Sequence, residues 1–358
     1  MSREIGGEFW TGCNPSDKDS AFFPRDPSLR LMLSGRTALD FVLEDLAGTS
    51  APGKAYLPSY CCHTMIAPFL EHGYTVDFYE VTADKNGIRY GFDPSEAYDV
   101  VLLLEHFGFR NASVEAFARS AIKAGKTVIY DATHTLLLPQ YAAFSFPADY
   151  VFGSVRKWTD CNLGFCMKKG SDWTVQPTLS PNHTYTEMRN SAFDMKRDYL
   201  DGKQAEKAEF LKLFSDAEDL LEREYRFRSA DERSLDALQC FPPAMARKRR
   251  QENAACLTQA IESLHSPLVR CLYPTVSDTD SPLFVPLIVK ADKRDELHAF
   301  LVSKGFYFPR HWPHSALHAS DDTAASLYKT EISAVCDQRY SAEDMQYIAD
   351  AIRSYISA

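Results

Sequence analysis

Three polar residues, Ser154, Arg156 and Lys157, follow an apolar segment at 150–153 that predicts a buried strand. A lysine placed behind a buried strand and beside an arginine is desolvated and repelled by a like charge, and both effects lower the pKa of an ammonium group. A lysine of this kind is a candidate nucleophile that forms a Schiff base with an aldehyde. The same spacing also suits a solvated lysine at a strand edge, so a second feature is needed to favour catalysis.

A second apolar segment, 127–130, delivers Asp131 and His134 at its carboxyl end. Parallel strands of one sheet end at the same edge, so we expect Asp131 and Lys157 to lie on one rim. An aspartate that pairs with a pyridinium nitrogen and a lysine that binds an aldehyde are the two groups that pyridoxal phosphate requires from a protein. The alternative for Asp131 is a structural one, in which it ends the strand and caps the next helix.

The turn Ser34-Gly35-Arg36-Thr37 precedes apolar residues at helical spacing. A helix that starts there exposes backbone N–H groups and the positive end of its dipole, which together bind phosphate. An ordinary N-cap has the same sequence pattern. The turn therefore indicates a phosphate site only in combination with Lys157.

Taken in order, these segments resemble the DegT/DnrJ/EryC1/StrS group of sugar aminotransferases, which are fold-type I pyridoxal-phosphate enzymes. The resemblance is carried by segments 5–9, 34–39, 57–61, 131–134 and 153–158. It implies catalytic roles for Lys157, Asp131 and His134. It also implies cofactor contacts, made by Gly35, Arg36, Thr37, Cys62, Asp131, Thr133, His134, Ser154 and Lys157. Cys62 stands where the family often has an aromatic residue over the ring, so the stacking partner stays open among Tyr60, His63, His106 and Phe107.

The function that the resemblance implies is amino transfer from an amino acid such as glutamate to a keto sugar, carried as a nucleotide sugar, in polysaccharide or secondary-metabolite biosynthesis. It also implies a homodimer with a shared active site. A Gly-Tyr-Asn-x-Arg-Met-type segment, which many sugar aminotransferases carry after the lysine, is absent between 170 and 200. Two alternatives therefore stay open: the same cofactor with elimination, decarboxylation or carbon–carbon cleavage, and a non-catalytic relative that binds a ligand.

Strand and helix patterns alternate along the chain, which predicts an α/β fold with a mostly parallel sheet between helices and a smaller C-terminal α/β domain. We expect a large cofactor-binding domain at 1–183, including an irregular N-terminal arm at 1–33. Linking helices follow at 184–240, and the small domain covers 241–358.

The formal net charge of −10 argues against a general affinity for nucleic acid. The basic run at 247–250 is interpreted as a solvated helix face. Nine cysteines without a C-x-x-C pair suggest reduced thiols, and the spacing of His314 and His318 gives only weak support to a metal site, so no metal is expected. No apolar run reaches the length of a membrane span, and a signal-peptide core is missing, which together favour a cytoplasmic protein.

Overall fold

The structure is a computed structural model that describes residues 4–10, 22–138, 142–170, 172–176, 178–318 and 324–357. The predicted arm at 1–33 is thus described only in part, since 1–3 and 11–21 lie outside the described residues. The strands are β1 (Ile5–Gly6), β2 (Arg30–Met32), β3 (Lys54–Pro58), β4 (Thr75–Asp84), β5 (Gly87–Gly91), β6 (Val100–Leu104), β7 (Thr127–Asp131), β8 (Tyr150–Ser154), β9 (Gly164–Lys168), β10 (Val269–Cys271), β11 (Val285–Val289), β12 (Phe306–Tyr307) and β13 (Glu331–Ala334).

The α-helices are α1 (Gly35–Ala47), α2 (His63–Glu71), α3 (Ala112–Lys123), α4 (Ala142–Ser145), α5 (His183–Leu200), α6 (Lys207–Arg223), α7 (Glu232–Cys240), α8 (Pro243–Glu262), α9 (Arg294–Ser303), α10 (Ala325–Thr330) and α11 (Ala342–Ile356). Two 3-10 turns, His106–Gly108 and Val155–Lys157, follow β6 and β8. The chain divides into two compact units, and the predicted domain limits stay a prediction.

The first unit comprises Glu8–Ala51 and Tyr150–Pro243. Its strands run antiparallel in the order β2-β9-β8, and the register places Ser154 opposite Gly164. Helices α5 and α6 pack along each other through a cluster of apolar side chains, which includes Phe193 and Phe214 with ring centroids 5.5 Å apart. Apart from the first residue of α5, both helices lie within 184–240, where linking helices are predicted.

The second unit comprises Ser2–Gly7, Pro52–Asp149 and Ala244–Ala358. Five of its strands form a sheet in the order β7-β6-β3-β4-β5, in which only the β4–β5 pair is antiparallel. All five residues of β6 are buried, as expected for a strand in a parallel sheet that is covered on both faces. Separately, β10, β11 and β13 form an antiparallel sheet, and β1 pairs with β12.

Two expectations about single residues are wrong. Arg250 is buried in α8 and donates to the carbonyl of Leu283 at 3.0 Å, so the basic run at 247–250 is not solvated throughout. Cys240 is disulfide-bonded, although seven other described cysteines are free thiols. The charge pattern does not show which arginine is buried, and the number of cysteines does not show which of them forms a disulfide. In addition, β5 and β9 are strands that the sequence did not predict.

Candidate active site

The start of α1 lies in the first unit and is capped by Ser34. The Ser34 Oγ accepts the backbone N–H of Thr37 at 3.1 Å, as an N-cap residue does. The first amides of a helix have no partner within the helix, which leaves those of Gly35 and Arg36 for an acceptor outside it. The first turn contains no acidic residue. This end of α1 can therefore bind an anion through amides and dipole.

Two glycines let α1 approach the ends of β8 and β9 closely. A Cβ on Gly35 would lie 3.1 Å from the Cβ of Ser154, and a Cβ on Gly164 would lie 2.1 Å from the carbonyl carbon of Ser34. Side chains do not fit at such distances without a shift of the neighbour. Because both positions are glycine, the helix start lies directly against Ser154.

Lys157 ends the 3-10 turn that follows Ser154. Backbone bonds fix this turn, since Val155 donates to the carbonyl of Leu163 and Trp158 donates to that of Val155, each at 2.8 Å. Trp158 is fully buried, whereas Lys157 is half-buried. The first unit thus places the lysine three residues after a serine that borders a helix N-terminus, as the sequence predicts.

The side chains of Arg36 and Thr37 bond to the segment after α6. Arg36 makes two hydrogen bonds to Glu222, at 2.6 and 2.7 Å, and the Thr37 hydroxyl donates to the carbonyl of Tyr225 at 2.7 Å. Glu222 therefore balances the charge of Arg36. The predicted cofactor contacts of these two residues stay predictions.

Arg156 belongs to a network of charges inside the first unit. It is ion-paired with Glu218, and Arg189 reaches Glu218 at 3.4 Å and Glu8 at 3.1 Å. Burial lowers the pKa of Arg156, but Glu218, Tyr185 and Glu8 together have a larger opposite effect, so the pKa lies above its ordinary value. Burial raises the pKa of Glu8, whereas Arg189 and Arg156 lower it to about 2. The structure thus gives Arg156 an ion pair within its own chain.

Asp131, Thr133 and His134 lie at the carboxyl end of β7 in the second unit, and all three are buried. The backbone N–H of Thr133 donates to Asp131 Oδ1 at 2.8 Å. The backbone N–H of Phe107 donates to His134 Nδ1 at 3.0 Å, and the imidazole stacks on Trp312 with ring centroids 5.8 Å apart. Sequence analysis did not single out this stacking by Trp312. The predicted common rim of Asp131 and Lys157 stays a prediction.

The candidates for ring stacking differ in how firmly they are held. His106 donates from Nε2 to the carbonyl of Tyr60 at 2.9 Å and bonds through Nδ1 to Tyr90, also at 2.9 Å. Burial lowers the pKa of His106 to about 4, so the ring is a neutral, fixed part of the core. Cys62 is half-buried just before α2, where Thr64 Oγ1 donates to its sulfur at 3.2 Å. The cofactor contact of Cys62 stays a prediction.

A cavity of about 710 Å³ opens in the second unit beside Trp312. Its lining combines aromatic with basic side chains, which are those of Arg294, His298, Phe308, Arg310, Trp312, His314, Tyr328 and Lys329. The sequence analysis does not identify Arg294 and Lys329. They come from α9 and α10, and an isolated basic residue on a helix gives no signal in the sequence.

The described residues contain no cluster of three or more histidine, cysteine or acidic side chains that could hold a metal ion. His314 stacks on His318 at 5.0 Å, and His318 bonds through Nε2 to the carbonyl of Cys61 at 2.9 Å. These contacts fix the loop.

Within the part of the chain that is described, no helix has the length and apolar character needed to cross a membrane.

The sequence matches no protein-family model, and no curated protein sequence matches it either. Solved structures do match. PseC of Helicobacter pylori, an aminotransferase involved in the biosynthesis of pseudoaminic acid, aligns over 99% of this chain and 100% of its own with a TM-score of 0.68 and 13% identity. The aminotransferase TlmJ of Streptoalloteichus hindustanus aligns over 91% of this chain and 85% of its own, with a TM-score of 0.63 and 14% identity. NtdA of Bacillus subtilis, solved with bound PMP, aligns over 98% and 79%, with a TM-score of 0.63 and 11% identity.

The chain has the fold of these aminotransferases. The predicted fold-type I architecture is confirmed, because the alignments span nearly the whole chain. At 11–14% identity the likeness concerns the fold, and function must be argued from the site itself.

Proposed function

We propose that the chain is a pyridoxal-phosphate-dependent aminotransferase that transfers an amino group from an amino acid such as glutamate to a keto sugar, carried as a nucleotide sugar. The proposal includes a homodimer with a shared active site and a place in polysaccharide or secondary-metabolite biosynthesis, as the family resemblance implies.

The observation that carries the proposal is the close contact of Gly35 with Ser154, three residues before Lys157. It joins a helix N-terminus, a serine hydroxyl and a lysine within one compact unit. The amides of Gly35 and Arg36 and the hydroxyl of Ser154 would hold the phosphate of the cofactor. Lys157 would bind its aldehyde. These residues fit pyridoxal phosphate, and the missing Cβ at Gly35 leaves room for the close approach.

When bound, pyridoxal phosphate supplies an aldehyde that takes up the donor's nitrogen and a ring that accepts electrons. Lys157 would bind the aldehyde carbon with loss of water, leave when the donor amine takes its place, and then move a proton as base and acid. Asp131 would hold a positive charge at the ring nitrogen, because its carboxylate stabilises the protonated form. His134 accepts at Nδ1 from Phe107 and would therefore offer a donor at Nε2. Thr133, whose N–H bonds to Asp131, would lie beside the ring.

The cavity supports an anionic acceptor. Arg294, Arg310 and Lys329 supply positive charge, and Trp312 and Tyr328 supply flat apolar surface. Asp295 pairs with two of these cations, at 2.8 Å with Arg294 and 3.0 Å with Arg310, but it is largely exposed. The pair of Asp295 with Arg310 is exposed on both sides and therefore weak, so a phosphate can compete for Arg310. A sugar that carries a nucleoside diphosphate has the charge and the ring that this lining suits.

The deciding experiment is reductive labelling of the purified protein. We expect protein mixed with pyridoxal phosphate to absorb in the visible and to lose that band on borohydride treatment, with the label on Lys157. The variant Lys157→Ala should give no band and keep its far-UV circular dichroism, whereas Lys212→Ala, at an exposed position of α6, should behave like the wild type. Glutamate should convert the unreduced protein to the pyridoxamine form. A label on another lysine would refute the site, and another product would refute amino transfer.

A further inference from the structure

His311 of the second unit is held at its backbone and its ring by three buried residues. Its N–H donates to Oε2 of Glu331 at 2.8 Å, and its carbonyl accepts the hydroxyl of Tyr60. Its Nδ1 lies 2.7 Å from Oγ of Ser333, which in turn bonds to Oε1 of Glu331. A carboxyl, a hydroxyl and an imidazole thus form a continuous hydrogen-bonded chain.

Side chains alternate between the two faces of β13, and this alternation brings the hydrogen-bonded groups together. Glu331 and Ser333 are two positions apart, so their side chains share one face of the strand. The N–H of Ser333 also donates to the carbonyl of Pro309 at 2.9 Å, which fixes the segment that carries His311. Glu331 and Ser333 are at most 1% exposed. Burying a carboxyl group costs free energy of folding, and an apolar side chain at position 331 could hold the loop without that cost. The buried Glu331 is therefore a candidate for a functional role.

With a proton on Glu331, the chain has one consistent direction. The carboxyl donates to Ser333, Ser333 donates to Nδ1 of His311, and the neutral imidazole carries its own proton on Nε2. If the shared proton moves through the serine to Nδ1, the imidazole becomes a cation and still carries a proton on Nε2. In both forms His311 is a donor at Nε2.

Loss of one proton from the pair reverses the chain. Ser333 has a single hydrogen, and the ionised carboxylate attracts it more strongly than a neutral imidazole does. The Ser333 oxygen then accepts a proton from Nδ1 of His311. The imidazole is neutral with its hydrogen on Nδ1, and Nε2 becomes an acceptor.

We propose that Glu331 and Ser333 are positioning residues that share one proton with His311, and that loss of this proton switches Nε2 of His311 from hydrogen-bond donor to acceptor beside His134. The ring of His311 lies 6.0 Å from that of His134, centroid to centroid. The effect on catalysis rests on the proposed function, whereas the switch itself is a property of the protein without cofactor.

Burial raises the pKa of Glu331 to about 8, against the opposing effects of Ser333, the N–H of His311 and the charge of Arg294. The switch is therefore expected near pH 8. The titratable or charged groups that lie against this hydrogen-bonded chain on neighbouring elements are Tyr60, His134 and Arg294. Tyr60 is a neutral phenol over the relevant range, because burial raises its pKa well above the usual value.

The test is nitrogen-15 NMR of histidine-labelled protein without cofactor, between about pH 6 and 9.5, a range that brackets the expected transition. The variant His311→Asn identifies the signals of His311 by their absence. In the wild type the hydrogen should move from Nε2 to Nδ1 of His311 as the pH rises. The nitrogen-15 chemical shifts of the two ring nitrogens should therefore change places, with a midpoint near pH 8. Glu331→Gln keeps both hydrogen bonds of the side chain but has no proton to lose, so it should hold His311 with its hydrogen on Nε2 at every pH. Ser281→Ala, a buried serine of the same unit, is the matched control and should behave like the wild type.

Enzyme loaded with cofactor gives a second readout. Above the midpoint the wild type loses the donor at Nε2 of His311, so we expect the rate of its half-reaction with glutamate to fall about tenfold per pH unit. Glu331→Gln should not show this dependence on pH. A tautomer of His311 that does not change with pH in the wild type would overturn the proposal, as would a change that persists in Glu331→Gln. If Glu331→Gln does not fold, Ser333→Ala takes its place, since it cuts the chain and should also abolish the exchange. Failure of labelling at Lys157 would refute the proposed function and leave the NMR result standing.

Discussion

The backbone N–H of Phe107 donates to Nδ1 of His134 at 3.0 Å, and this bond decides which ring nitrogen of His134 carries hydrogen. Phe107 has a φ of 60°, in the left-handed region that side chains rarely adopt. The turn at His106–Gly108 is thus strained at the residue that aims an N–H at the imidazole. Strain of this kind is retained where the surrounding structure fixes it.

Two substitutions of His134 separate its structural role from its catalytic one. His134→Asn should keep an oxygen acceptor for Phe107 and unfold at nearly the wild-type urea concentration, but it should slow the half-reaction with glutamate at least about tenfold, because the donor at Nε2 is lost. His134→Phe keeps the stacking on Trp312 and strands a buried N–H, which costs about 1–3 kcal/mol of stability. A His134→Phe variant as stable as the wild type would show that the bond from Phe107 contributes nothing.

Asp131→Asn tests charge without changing shape. The amide oxygen of asparagine can still accept the N–H of Thr133, so we expect unchanged stability. The half-reaction should slow on the order of a hundredfold, because a neutral amide does not keep the ring nitrogen protonated, and a loss of about 3–4 kcal/mol in the transition state has that effect. Stopped-flow absorbance measures the rate. An unchanged rate would leave Asp131 with a structural role only.

Gly35→Ala should weaken binding of pyridoxal phosphate about tenfold or more, since the new Cβ lies 3.1 Å from Ser154 and displaces it from the phosphate. Gly48→Ala at the other end of α1 is the control, because its Cβ would lie 3.1 Å from the side chain of Thr174. Titration followed by absorbance compares the two affinities, and inorganic phosphate should compete with the cofactor in the wild type. Equal loss in both variants would point to the helix as a whole and not to a phosphate site.

Glu8→Gln should change how the free energy of unfolding depends on pH in the acid range. The pKa of Glu8 is lowered in the folded chain from 4.5 to about 2, so the carboxylate stabilises the fold above pH 4.5 and this contribution is lost as the pH falls toward 2. We expect the wild type to lose more stability than Glu8→Gln between about pH 5 and 3 in urea unfolding. Parallel curves would mean that the pairing with Arg189 does not differ between the folded and unfolded chain.

The local elements of the fold followed from the sequence because apolar periodicity and capping residues act over a few positions. The α1 start at Ser34, the buried strands β7 and β8 and the helices α5 and α6 are of this kind. By contrast, β9 was missed, because Gly164 opens it and glycine weakens any strand pattern. Only the tertiary contact explains that glycine, since a Cβ there would collide with Ser34.

For the candidate site, the sequence by itself determined residue types and order: a lysine and an aspartate that each follow an apolar strand, and a helix start rich in donors. Their chemistry is intrinsic to the side chains and can be predicted without coordinates. The tertiary structure alone decided that Arg36 and Arg156 pair with Glu222 and Glu218, and that His311, Ser333 and Glu331 share one hydrogen-bonded chain. Those partners are distant in sequence, and burial, which sets the protonation of Glu331, depends on residues packed around it from several elements.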